Sequence, residues 1–234
     1  MLSLHRVSKS YGTRYGARKV LKDISFCLNR GRNIGILGCN GAGKSTLIRI
    51  ISGAEQPDSG TIRRGMRVSW PLAFGGAFHE HLTGLDNLKF VCRIHGVDYR
   101  AVLPFVEDFT ELGTYFREPV MHYSQGMMTR LAFALSMAVE FDCFLIDEAM
   151  VVGDARFHQR CHDELFTKRK DRSFILVTHE AEVIKLYCEK ASVLHNGQLL
   201  PFNSVDEAYT YYNDILKSPD MSTPDHQESM ASGT

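Results

Sequence analysis

The stretch "GCNGAGKST", Gly38 to Thr46, has the clearest chemistry in the chain. From Gly38 to Ser45 it fits G-x-x-x-x-G-K-[ST]. Before it, Asn33 to Leu37 reads as a short buried strand; after it, "STLIRIISG" reads as a helix closed by Gly53. The run Gly38, Asn40, Gly41, Ala42, Gly43 lets backbone N–H groups turn inward around phosphate oxygens, and the helix N-terminus adds its partial positive charge. Lys44 can then reach the β- and γ-phosphates of a nucleotide, and the Ser45 hydroxyl, with Thr46 beside it, can ligate Mg²⁺. A chance glycine-rich turn is the bland alternative, and the full motif in its strand–loop–helix setting argues against it.

"CFLIDE" adds a second group. A strand ending in Asp147 places a carboxylate near the Mg²⁺, and Glu148 can orient or polarise an attacking water. Many strands end in acids, so this pair draws its meaning from the cradle upstream. "SFILVTH" ends the next strand on His179, at the carboxyl edge where ligands bind in parallel sheets. A lone histidine is more often structural; in this company it reads as a γ-phosphate contact.

These groups need a frame. "CFLID" and "SFILVTH" are apolar strands separated by the helix "ARFHQRCHDELFTKRK", an order that suits a parallel sheet with crossover helices. "EQPDSGTIRRGMRVSW" reads as a turn and a hairpin. From about Leu85 to Phe116 the pattern is helical, with "LDNLKFVCRIHG" closed by Gly96. "EAEVIKLYC" is another helix. "ASVLHNGQLL" is a hairpin on an Asn-Gly turn. "SVDEAYTYYNDIL" is a last helix, with Ser204 as N-cap and Glu207 completing a capping box. Residues 218–234 are rich in Ser, Pro and Thr and have a disordered composition.

The bulk numbers exclude several classes. The 234 residues suffice for one large core or a core with a satellite. Lys+Arg and Asp+Glu are both 27, so the basic excess of a nucleic-acid binder is missing and no nucleic-acid partner is expected. "RKDR" and "TIRRGMR" read as solvated charged faces. Six cysteines without CxxC spacing, Cys39, Cys92 and Cys143 among them, read as small buried hydrophobes of a reducing compartment. The start has no apolar signal region, and "LAFALSMAVEFDCFLI" is too short and too charged to cross a bilayer. A membrane role therefore needs a partner.

Taken together, these elements resemble the ATP-binding subunits of ABC transporters, over about Ser3 to Leu216. The resemblance implies an α/β fold: a P-loop NTPase core with a mostly parallel sheet, an N-terminal antiparallel β subdomain and an inserted helical subdomain at about 84–140, all in one cassette spanning 1–217. It also implies ATP and Mg²⁺ as cofactors and a head-to-tail dimer in which each ATP lies between the cradle of one copy and the signature of the other. "YSQGM" stands at the signature position, so Ser124, Gln125 and Gly126 would face the partner's γ-phosphate; a plain capped helix is the alternative there. Gln125 and Met127 depart from the family's LSGGQ spelling. Tyr11 matches the aromatic that stacks on adenine, with Tyr15 as a rival. "EAMVVGD" stands in the D-loop position, with Asp154 as its acid.

The family's Q-loop glutamine has no counterpart in "SWPLAFGGAFHEHLTGLDN". Phe74 stands near its place, Gly75 and Gly76 suit a hinge, and His79 reads as an exposed loop histidine, with a polar substitute for the glutamine as the alternative. Trp70 and Pro71 read as packing. "HQRCH" lacks the glutamate of H-E-x-x-H, so His158, Cys161 and His162 read as an ordinary helix. Within the family, the spellings resemble exporters of bacterial capsular polysaccharide and O-antigen. That implies an integral membrane subunit and further capsule export proteins as partners, at the cytoplasmic face of the inner membrane. The rivals are an exporter of teichoic acid, a drug or an ion, and a non-transport ABC ATPase.

Overall fold

The computed structural model describes residues 1–14, 16–72, 79–147 and 155–217. Tyr15, the stretch holding Phe74, Gly75 and Gly76, the stretch holding Glu148 and Asp154, and residues 218–234 lie outside them.

Two sheets form the frame. The first is antiparallel, in the order β2-β1-β4, from β1 (Leu2–Thr13), β2 (Gly16–Leu28) and β4 (Ser59–Arg64). The second has six strands in the order β5-β6-β7-β3-β8-β9. Its members are β3 (Asn33–Leu37), β5 (Val68–Pro71), β6 (Cys143–Asp147), β7 (Ser173–Thr178), β8 (Lys190–His195) and β9 (Gln198–Phe202). All neighbours in it run parallel except β8 and β9, which make the hairpin that Asn196 and Gly197 turn with φ of 49° and 77°.

Central strands covered on both faces must be apolar throughout. β7 is buried along its whole length and β6 at its first four residues. Because side chains alternate, the strands feed two cores. Cys143, Leu145, Ile175 and Val177 meet Leu2, Leu4, Leu21 and Ile24 of the antiparallel sheet and Leu47, Ile48 and Ile51 of helix α1 (Lys44–Ser52). Phe144, Ile146, Phe174 and Leu176 face the opposite core. There they join residues from α2 (Gly84–His95), α3 (Tyr99–Thr110), α4 (Gln125–Met137), α5 (Ala155–His162), α6 (Ala181–Tyr187) and α7 (Val205–Lys217). Ser204 caps α7 by accepting from the Glu207 N–H at 3.2 Å.

The structure corrects the reading of residues 55–70 as a turn and a hairpin. β4 and β5 are consecutive but belong to different sheets: β4 pairs with β1, and β5 runs parallel to β6 at the sheet edge. Pro71, which has no N–H to give, is tolerated on such an edge. The charged clusters are not simply solvated either. Arg64 donates to the Ile50 and Ile51 carbonyls at the C-terminus of α1. Arg169 donates to Glu164 and to the Met137 carbonyl. Both guanidiniums donate to carbonyls in the last turn of a helix. The helix expected over 155–170 changes character after His162: Asp163–Thr167 is a π-helical turn, closed by Lys168 N–H on the Asp163 carbonyl at 2.9 Å.

Candidate functional site

The cradle forms where β3 stops and α1 starts. Gly43 caps α1 with φ of 105°, and a Cβ there would stand 3.0 Å from Val20 Cγ1, so only glycine fits the turn. No side chain caps α1 and its first turn carries no acid, whereas Thr83, Asp98 and Ser124 cap α2, α3 and α4. The backbone donors of α1 are thus left for an anion. Lys44 is buried and its Nζ donates to the Gly38 carbonyl at 2.8 Å, with the Cys39 carbonyl and Asn40 Oδ1 each at 3.5 Å. Ser45 is exposed at the helix mouth, and Thr46 is buried beneath it.

The register sets the acid opposite the cradle. Leu37 is level with Thr178, and Asp147 is level with Val177, so β6 ends beside β7 and β7 beside β3. Two strand spacings, about 10 Å, separate β6 from β3, so Asp147 and the cradle stand at the same edge of the sheet on either side of β7. Asp147 is half-buried; His179 follows the end of β7 and is exposed over the intervening strand. The Ser45 hydroxyl and the Asp147 carboxylate are hard oxygen donors of the kind Mg²⁺ takes. No group of three or more metal-binding side chains occurs among the described residues. Two protein oxygens fit a metal whose other ligands are phosphates and water.

Tyr11 joins the cradle from β1. Its hydroxyl donates to the Glu55 carboxylate at 2.8 Å, lies 3.4 Å from Thr46 Oγ1 and accepts from Arg49 Nη2 at 3.2 Å. Burial works to raise the Glu55 pKa, but the bonds from Tyr11, Lys9 and Arg49 outweigh it and hold the carboxyl below its usual value. The bond to Tyr11 raises the Arg49 pKa in turn.

Ser124, Gln125 and Gly126 form a separate locus at the mouth of α4, whose body packs on α2 and α3. Ser124 Oγ accepts from the Met127 N–H at 3.3 Å, and Ser124 and Gln125 are exposed. A Cβ at Gly126 would meet nothing nearer than Ser124 Oγ at 3.9 Å. The fold itself does not require a glycine there. Tyr123 turns inward: it is buried and its hydroxyl donates to the Tyr115 carbonyl at 2.7 Å. That fixes the entry to α4.

Several supports of the site carry no local signal. Asn87 is fully buried; it accepts from the His79 N–H at 2.9 Å and donates to the Thr83 carbonyl at 2.9 Å. It pins the chain just after residues 73–78. Glu55 and Glu111 have no motif signal at all. Trp70 packs, as expected: its ring meets Phe141 edge-on, and its Nε1–H donates to Ser136 Oγ at 2.7 Å. His79 is exposed, and four of the six cysteines are buried with all six free.

The family model described as "ABC transporter" matches residues 21–151, more than half of the chain. The chain belongs to the ABC transporter family. It is 59% identical over 215 residues to the capsule polysaccharide export ATP-binding protein CtrD of Neisseria meningitidis serogroup B, covering 92% of this chain and all of that one. It is 57% identical to the ATP-binding protein BexA of Haemophilus influenzae, covering 93% of this chain and all of the relative. A teichoic acids export ATP-binding protein of Staphylococcus haemolyticus is 33% identical over 84% of this chain and 76% of its own. Among solved structures, the ATP-binding subunit of an ABC transporter superposes with a TM-score of 0.75 at 23% identity, covering 91% of this chain and 99% of that one. A dimeric ATP-binding cassette bound to ADP and Pi gives a TM-score of 0.72 at 20% identity, covering 85% of this chain and 96% of that one. These two establish the likeness of fold. Among the described residues, no helix is long and apolar enough to cross a membrane.

Proposed function

We propose that this chain binds and hydrolyses ATP to drive export of a capsular polysaccharide, a lipid-linked glycan, through a separate integral membrane subunit at the cytoplasmic face of the inner membrane. The observation that carries this reading is the uncapped cradle of α1 facing the level ends of β6 and β7, in a chain 59% identical along almost its whole length to a capsule exporter's ATP-binding protein. Teichoic acid export is the weaker reading, since that relative is 33% identical.

In this reading the first turn of α1 and Lys44 hold the phosphates, and Tyr11 presents its ring to the adenine. Ser45 and Asp147 hold Mg²⁺, which when bound neutralises charge developing on the phosphates. Glu148 accepts hydrogen bonding from the attacking water and aligns it, and His179 donates to the γ-phosphate. A second copy closes head to tail, bringing its Ser124 hydroxyl, Gln125, Gly126 backbone and Asp154 to the site. The solved dimer bound to ADP and Pi supports the presence of a second copy. The exposed Phe90 and Ile94, one turn apart on α2 at 52% and 62%, offer the membrane subunit an apolar edge.

Glu148→Gln should bind ATP normally, lose turnover by about 100-fold or more and form a dimer on ATP addition, read by light scattering after gel filtration. Near-normal turnover would remove Glu148 from its role. Deletion of the gene should strip the capsule, and the protein should co-purify with a multi-span membrane protein. Isolation as a free dimer whose ATPase is stimulated by DNA would overturn the transport reading.

A further inference from the structure

Glu111 caps the C-terminus of α3 in a left-handed conformation, with φ of 52°. Glycine would adopt that conformation with less strain. The side chain explains the choice. Its carboxylate meets Arg130 of α4 at 3.0 Å, and Arg160 and Arg156 of α5 at 2.8 and 3.4 Å. The arginines also cross-stack. The Arg130 guanidinium lies 5.1 Å from the Phe157 ring of α5, and that of Arg160 lies 4.9 Å from the Phe109 ring of α3. Arg160 further donates to the Asp108 carboxylate at 2.7 Å and to the Asp108 carbonyl at 3.3 Å, capping α3. The side chains of Arg130 and Arg160 are only 22% and 26% exposed, so these pairs are less screened than ordinary surface ones.

A second tie grips the C-terminus of α4. Arg169, after the π-helical turn that continues α5, donates to the Met137 carbonyl at 3.0 Å and is itself held by Glu164. α4 is therefore bound to α5 near its middle, through Arg130, and to the continuation of α5 at its C-terminus, through Met137. α4 opens on Ser124 and Gly126; α5 begins at Ala155, the residue after Asp154 in the chain. Both are elements that one copy would offer to the nucleotide of the other.

We propose that Glu111 is a positioning residue for ATP turnover: by bridging Arg130 to Arg156 and Arg160, it makes α4 and α5 approach the partner copy's nucleotide as one unit. The inference rests on the head-to-tail reading above. Without the carboxylate, three guanidiniums face one another and the two helices lose the acid they share.

The test compares Glu111→Gln with the natural protein, and the same change within the Glu148→Gln parent. Glutamine keeps the size and the cap but not the charge. Mant-ATP affinity of the monomer should stay within about twofold, because the cradle is untouched. ATP-dependent dimerisation of the parent should weaken about tenfold, and kcat in the Glu148 background should fall about tenfold, as for residues coupled within one ion-pair network. Arg160→Lys, which keeps a charge but loses the fork, should move both readouts in the same direction, and it substitutes if Glu111→Gln does not fold. Dimerisation within about twofold of the parent, or a parallel loss of monomer affinity, would overturn the positioning role. A parent that fails to dimerise with ATP would overturn the sandwich itself, and this inference with it.

Discussion

Ser124 can be a helix cap, a phosphate ligand or both, and substitution separates these roles. As a cap it accepts from the Met127 N–H at 3.3 Å, a long bond, so Ser124→Ala should cost about 0.5–1 kcal/mol. For a chain of this size that lowers Tm by about 1–4 °C. The accepting oxygen still has its own O–H to give. A donor hydrogen bond to a charged phosphate is worth about 1.5–3 kcal/mol, which corresponds to about 10- to 150-fold in turnover. The capping role alone would barely touch turnover; the ligand role would cost one to two decades. Ser124→Asn sharpens the difference, because asparagine caps as well as serine but brings a bulkier amide to the mouth of α4. It should restore Tm and leave the ATPase low. Differential scanning fluorimetry and a coupled phosphate-release assay on Ala and Asn variants decide it. If Asn restores turnover together with stability, or Ala loses less than about threefold, Ser124 is only a cap.

Lys44→Met keeps the buried stem but removes the ammonium that donates to Gly38, and should weaken ATP binding about tenfold or more by isothermal titration with little change in Tm. Tyr11→Phe keeps the ring but frees it from Glu55 and Arg49; KM for ATP should rise about two- to tenfold with kcat unchanged, checked by steady-state kinetics. The Glu164 carboxyl is held below its usual value: burial would raise it, but the bonds from Lys168 and Arg169 prevail. A depressed folded pKa gives stability that is present above the unfolded value of about 4.3 and is lost as pH falls through the folded one. Glu164→Gln should therefore lower the urea midpoint at pH 7, and the difference from the natural protein should hold down to about pH 5 and shrink only below the unfolded value of about 4.3.

Local signals were legible and distant partnerships were not. Gly53 and Gly96 close α1 and α2, Ser204 opens α7 and Asn196–Gly197 turns β8 into β9, each by chemistry contained in a few residues. The cradle was readable for the same reason. The 55–70 stretch misled because alternation identifies strands but not their partners: β4 found β1 some 55 residues earlier, and β5 found β6 more than 70 residues later. The π-helical turn after α5 had no local signal: Arg169 beyond it is held by Glu164 and donates to the Met137 carbonyl of α4, a partner that only the fold brings near. Glu111 looked like any helix-end acid, because its meaning lies in arginines 19, 45 and 49 positions away.

The chain has a single tryptophan, and its position makes it an instrument. Trp70 stands on the edge strand β5, its indole N–H held by Ser136 of α4 and its ring against His95 of α2. Burial, with the nearby Arg67 charge, depresses the His95 pKa, so at neutral pH the imidazole beside the indole carries no charge to quench it. Any rotation of α2 and α4 against the sheet must stretch that hydrogen bond or shift that ring contact. The intrinsic fluorescence of the unlabelled protein should therefore follow the working stroke in real time, with every wavelength change assignable to one indole.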